Sequence, residues 1–258
     1  MTQFNSQSRR SEGGFTLVEL AIVMIIIGLL IGGILKGQEL INNARVSSSV
    51  SQLKGIEAAI NTFRDKYSAI PGDIASPTTR IPNCATGSTC ATAGDADGLV
   101  DGTGDVGAAP ADNEAGRMFI HLAAANMLSG NVNPGITTWA AADSLPNFNL
   151  GGNVRLSYSA NAAPTGITSG ATLSGHYMAV GTGGANTMAA ANVTLAASGV
   201  ANIDRKLDDG APNTGSVLGA GPATGAAVTS CASGTGASDT YNEQYDGKVC
   251  GLFVRALN

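Results

Sequence analysis

From Phe15 to Leu35 the chain reads FTLVELAIVMIIIGLLIGGIL, an apolar run whose single charge is Glu19. The run matches the ~20 residues that a helix needs to cross a bilayer. It constrains everything after it, because such a segment must lie in lipid or against other helices. Arg9 and Arg10 precede the run and Lys36 ends it. The positive-inside bias therefore leaves the first residues cytoplasmic and sends the remainder outward. Glu19 is the anomaly. An isolated carboxylate in an apolar environment is costly, and inside a membrane it is a functional-site hypothesis by default.

Three readings of the segment compete. A secretory signal has a shorter apolar core of about 7–15 residues and a small-residue cleavage site after it. Here the polar stretch KGQELINNARV follows, without an A-x-A site. A plain membrane anchor fits the length and leaves Glu19 unexplained. The third reading puts processing before the run, at Gly13-Gly14. Cleavage there creates an α-amino group at Phe15, a natural partner for the carboxylate one turn later. A carboxylate in the first turn of a helix is itself favoured, by a few tenths to ~1 kcal/mol.

GGFTLVELAIVMIIIGLLIGG resembles the N-terminus of type IV pilins and type II secretion pseudopilins. The resemblance implies cleavage between Gly14 and Phe15 by a prepilin peptidase, N-methylation of Phe15, and an assembly role for Glu19 as the fifth mature residue. Paired with the Phe15 amine of a neighbouring chain, Glu19 would reward one stagger of the bundle. The implied partners are copies of the same chain, the prepilin peptidase and an inner-membrane assembly platform. The implied location is the bacterial inner membrane, crossed once with the N-terminus cytoplasmic, and then a filament at the cell surface. One departure is visible: many major pilins carry a proline about twenty residues into the mature helix, where this chain has Lys36. Gly28, Gly32, Gly33 and Gly37 could loosen the helix in its place, or let helices approach closely as small-xxx-small pairs.

Beyond Lys36 the residues Val46, Val50, Leu53, Ile56, Ile60, Phe63 and Tyr67 recur at spacings of three and four. That is one apolar stripe on an otherwise polar helix, and Pro71 in SAIPGD stops it. A helix from Phe15 to about Tyr67 is ~80 Å long at 1.5 Å per residue. The expected organisation is a leader at 1–14, a membrane and assembly half at 15–36, an amphipathic half at 37–70 and a head at 71–258. In the head, Asn113 to Gly130 reads as a short helix with Met118, Leu122 and Ala125 on one face. A second helix is expected around NIDRKL, with Ile203 and Leu207 inward. NVRLSYSA, HYMAVGT, GSVLGAG and KVCGLFVRAL read as strands between Gly-rich turns. The expected class is α+β, a long N-terminal helix on an antiparallel sheet.

Enzymatic groups do not converge. The chain has two His, and His121 and His176 are read as structural residues; H-E-x-x-H and G-x-S-x-G are absent. Gly102, Gly104 and Gly107 match G-x-G-x-x-G but follow an acidic turn rather than a strand, so the dinucleotide context fails. Trp139 is read as core, and the N-x-T sequon at Asn192 carries little weight in a bacterial chain. The net charge of −5 and the lack of basic clusters argue against nucleic acid. One acidic stretch, GDADGLVDGTGD, sets Asp95, Asp97, Asp101 and Asp105 close together. It has two readings, a solvated turn or a Ca²⁺ loop that departs from the EF-hand pattern. Asp204, Asp208 and Asp209 form a weaker acidic group.

Cys84, Cys90, Cys231 and Cys250 are even in number and none forms C-x-x-C. In a chain that enters a membrane they read as two disulfides in an oxidising compartment. Three pairings are open. Cys84–Cys90 with Cys231–Cys250 closes the smallest loops, and the second pair would staple the C-terminal strand, as pilin-like heads often do. The chain is expected to be a filament subunit rather than an enzyme. The alternative is a minor tip module that recognises a surface or ligand with its head.

Overall fold

The computed structural model describes residues 14, 16–100, 114–130, 132–137, 145–162, 173–181, 193–221, 231–233, 239–245 and 247–257. Phe15, Asp101, Asp105, Gly102, Gly104, Gly107, Trp139 and Asn192 lie outside these residues, as does the leader before Gly14. The chain divides into two compact units, Met1–Ala44 and Arg45–Asn258.

Helix α1 spans Leu17–Tyr67 and runs through Lys36 and the four glycines around it without a break. In the first unit its apolar side chains face outward, with Leu17 at 87% and Met24 at 70% exposure. In the second unit the apolar stripe turns inward. Val46, Leu53, Ile56, Ile60, Phe63 and Tyr67 are buried at three- and four-residue spacing, with Val50 partly buried beside them. Phe63 is fully buried and packs on Tyr67 with ring centroids 4.5 Å apart. Truncating such a ring to Ala costs about 3–5 kcal/mol. The helix ends when Ser68 adopts a left-handed φ of 47° and donates its N–H to the Arg64 carbonyl at 2.8 Å. Arg64 and Lys66 in the last turn oppose the negative end of the helix dipole.

After the Pro71 turn come a single helical turn, α2 (Pro77–Arg80), and a 3₁₀ turn at Thr89–Ala91. Helix α3 (Glu114–Ala124) is buried on every side. It is shorter than the helix to Gly130 that its sequence suggested. Asn126 takes a left-handed φ of 57°, and the N–H groups of Ala125, Asn126 and Met127 close back onto the last carbonyls. Asn is one of the few side chains that tolerate this terminating conformation.

The sheet is antiparallel. Strands β1 (Asn153–Ala162), β2 (Leu173–Gly181), β3 (Leu195–Ala196), β4 (Val217–Ala220) and β5 (Lys248–Leu257) include all four expected strands. β1 pairs β2, β2 pairs β5, and both β3 and β4 pair β5. Val254 has partners in Met178 of β2 and Val217 of β4, so the C-terminal strand is interior to the sheet. Leu252, Val254 and Ala256 face the core shared with α1 and α3. Phe253 faces the other way, into a second cluster with its cross-strand partners Ala179 and Leu218. Both faces of β5 are therefore buried, which explains its nearly continuous apolar sequence. Helix α4 (Ala197–Leu207) begins before the expected NIDRKL and packs Val200 and Ile203 into the main core. The long helix followed by an antiparallel sheet is the α+β architecture that the sequence implied.

The cysteines are joined as Cys84–Cys90, with Cα atoms 5.4 Å apart, and Cys231–Cys250, with Cα atoms 5.2 Å apart. The second bond ties residue 231 to β5.

Candidate functional site

The N-terminal site is a helix start. Gly14 is exposed, and a Cβ placed there would meet no atom within 4 Å. Thr16 and Glu19 form a capping box in the T-x-x-E pattern. The Thr16 N–H and hydroxyl both donate to Glu19 Oε2 at 2.8 Å, and the Glu19 N–H donates back to Thr16 Oγ1 at 3.3 Å. Glu19 therefore has a partner on its own chain before any neighbour arrives. The signal, Thr three residues before Glu at the head of an apolar run, was present in the sequence. A carboxylate has acceptor capacity for more than these two hydrogens, so the box leaves Glu19 able to bind a further donor. Toward the C-terminus of the same unit, Gly28, Gly32, Gly33 and Gly37 face open space. Among the described residues, α1 is the one helix long and apolar enough to cross a membrane.

A second site lies in the head, where α3 carries Glu114, Arg117 and His121 along one stripe and all three are buried. Such residues are tolerated inside only when hydrogen bonded. His121 takes the Gly72 N–H on Nδ1 at 2.9 Å and lies 3.1 Å from the Cys90 carbonyl through Nε2. The Gly72 amide can only donate, so Nδ1 is the acceptor and Nε2 carries the proton. Burial holds the imidazole neutral and depresses its pKa to about 4; the Cys90 carbonyl opposes that shift and Arg117 adds to it. Arg117 donates to the Ala93 carbonyl at 3.3 Å and lies 3.8 Å from Glu114 Oε1. Glu114 Oε1 in turn accepts the Asp95 N–H at 3.1 Å. The stripe thus fastens the chain from Gly72 to Asp95 onto α3.

At the N-terminal end of this stripe, one carboxylate oxygen each from Asp73, Asp95 and Glu114 lie within 4.8 Å of one another. Of the acidic loop read from the sequence, Asp101 and Asp105 lie outside the described residues. Asp95 joins two carboxylates that sequence reasoning left out, while Asp97 is exposed and accepts the Leu99 N–H at 2.8 Å. Asp73 is buried, which raises its pKa; the Gly98 and Ala96 amides oppose that rise, and Asp97 and Asp95 add to it.

His176, in β2, is also buried and packs at a tilt against Tyr158, with ring centroids 5.2 Å and planes 54° apart. Desolvation lowers its pKa. The Asp204 group is a capping network. Asp204 accepts the Tyr241 hydroxyl at 2.8 Å and the Gly210 N–H at 3.2 Å, and Asp208 accepts the N–H and hydroxyl of Ser216 and the N–H of Val217. Burial pushes the Asp204 pKa up to about 6 against those hydrogen bonds, and the same desolvation raises that of Tyr241. Cys84 and Cys90 lie beside His121 but are bonded to each other, so they offer no thiolates.

A family model described as the prokaryotic N-terminal methylation motif matches residues 9–35. No curated protein matches the chain, and no solved structure does. The matched residues are the signature of type IV pilins and pseudopilins and contain Gly14, Phe15, Thr16 and Glu19. The motif is structural rather than enzymatic.

Proposed function

We propose that this chain is a structural subunit of a type IV pilus or pseudopilus-like helical filament. The observation that carries the reading is the methylation motif at residues 9–35, lying where the exposed apolar half of α1 begins. In this reading a prepilin peptidase cuts between Gly14 and Phe15 and methylates Phe15. The precursor waits in the inner membrane with its N-terminus cytoplasmic, and an assembly platform adds it to the filament. There, neighbouring copies cover the apolar side chains that lipid covered before. The amine of a neighbour's Phe15 becomes a further donor to Glu19, beyond the two that Thr16 supplies. Since an unpaired charge in an apolar bundle is costly, only the stagger that joins amine to carboxylate is stable.

Glu19→Ala tests this. The variant should enter the membrane as well as the parent or better, because a charge in the apolar run costs up to ~2.5–3.5 kcal/mol at its centre on insertion scales, and less near its end where Glu19 lies. It should yield few or no sheared surface filaments. Parental filament yield from Glu19→Ala cells would refute the register role.

A further inference from the structure

We propose that Asp73, Asp95 and Glu114 form a site for a divalent cation of the Ca²⁺ class, joining the Pro71 turn, the acidic loop and the start of α3. Three observations carry it. The three carboxylates converge to within 4.8 Å. Asp73 is turned inward, 3% exposed; its Oδ2 accepts the Gly98 N–H at 2.8 Å, and its Oδ1 is buried without a hydrogen-bond partner among the described residues. Buried polar atoms are almost always paired, so an orphaned carboxylate oxygen asks for an occupant. Finally, the backbone is drawn tight around the group. A Cβ at Gly94 would lie 2.6 Å from Asp73 Cα and 2.6 Å from Glu114 Oε1.

Charge says what kind of occupant fits. Arg117 reaches Glu114 at 3.8 Å, and among the described residues three carboxylates outnumber the one guanidinium in contact with them, so the group carries an excess of negative charge. A divalent cation offsets that excess. The donors are all hard oxygens, because both His121 nitrogens are engaged and the nearby cysteines are oxidised. That set suits Ca²⁺ and not a nitrogen- or sulfur-seeking metal. Asp73 also lines a surface cavity of about 590 Å³ together with Asn61, Arg64, Ala96 and Gly98. The competing occupant is a proton shared between Asp73 and a neighbouring carboxylate.

The full-length chain in detergent, stripped with EGTA, distinguishes the two. Adding CaCl₂ to about a hundred times its dissociation constant should raise the head's melting temperature by ~5–10 °C. Asp95→Asn should abolish the rise. Asp95 is exposed, and an Asn there keeps an oxygen for the Asp97 N–H, so this variant should fold. Asp73→Asn should melt above the parent in EGTA, because it removes the repulsion, and should be indifferent to Ca²⁺. Asp97→Asn should respond as the parent does. Equal melting of the parent in EGTA and in 10 mM CaCl₂ would overturn the proposal. So would an undiminished Ca²⁺ response in Asp95→Asn, or its loss in Asp97→Asn. Melting that ignores Ca²⁺ but rises on acidification in the parent, and not in Asp73→Asn, would assign the site to the proton.

Discussion

Acid should loosen the head through His121. Its folded pKa lies at about 4, while the unfolded chain takes up the proton near 6.5. The unfolded state therefore binds more protons between these values, and stability falls as pH falls. The contribution of the neutral imidazole is complete above pH 6.5 and drains progressively toward pH 4; below that the native His is protonated too and the loss stops growing. From pH 8 to pH 5 linkage gives about 2 kcal/mol. Asp204 works in the opposite direction. Its folded pKa of about 6 exceeds its unfolded value of 3.8, so the folded state gains on the unfolded one as pH falls from about 6 toward 3.8. At pH 5 that returns about 1 kcal/mol, so the parent chain alone would show a muted slope. The comparison with His121→Gln isolates the effect. Gln does not titrate and can still donate to Cys90, but it gives up the acceptor for Gly72, at a cost of about 1–3 kcal/mol. The gap between parent and variant should therefore be widest at pH 8 and narrow by about 2 kcal/mol at pH 5. Every other carboxylate cancels in the difference. Urea unfolding of the detergent-solubilised chain, followed by near-UV circular dichroism at both pH values, measures it. A gap constant to within half a kcal/mol would refute the buried, neutral His121.

Asp204→Asn removes the opposing term, so the parent should gain about 1 kcal/mol on the variant between pH 7 and pH 5 in the same assay, and a gap independent of pH would contradict its raised pKa. Losing the Cys231–Cys250 bond, which closes a sequence separation of 19, should cost about 3 kcal/mol by loop entropy. Losing Cys84–Cys90, with a separation of 6, should cost about 2. Melting of the two double Cys→Ser variants should preserve that order, and the reverse order would show that packing, not loop length, decides. Thr16→Ala breaks the capping box and should cost the first turn of α1 about 1 kcal/mol. It should be visible as faster amide exchange at residues 17–20 in detergent, and unchanged exchange would show that the box does not hold that turn.

The parts legible in the sequence are those with strong periodicity or a local motif. The stripe from Val46 to Tyr67 can be read because the second half of α1 repeats one pattern over about six turns. The strand KVCGLFVRAL can be read because a strand buried on both faces is apolar almost throughout. Neither property depends on what the element touches. The two-residue β3 has no pattern to read, since its pairing with Cys250 is decided by β5. The end of α3 is hidden in the sequence because Met127 and Leu128 keep the apolar pattern going after Asn126 has already turned the chain. The acidic group was the least legible. GDADGLVDGTGD advertises carboxylates by nearness in sequence, whereas Asp95 meets Asp73 and Glu114 through the way α3 packs on the Pro71 turn. Glu114 and Arg117 look like an ordinary solvent-facing pair until the whole of α3 is seen to be buried. At Glu19 the sequence shows the anomaly and offers an amine as its partner, while the nearer partner is Thr16, three residues before it.

The central claim is that this chain is matured as a pilin-like subunit through the segment at residues 9–35. Intact mass and N-terminal sequencing of sheared surface filaments test it most directly. A chain that begins at Phe15, carries one added methyl group on its α-amine and retains both disulfides is the expected result. A surface-exposed chain that still carries Met1 to Gly14, or one cut after the apolar run so that Glu19 is lost, would contradict the account.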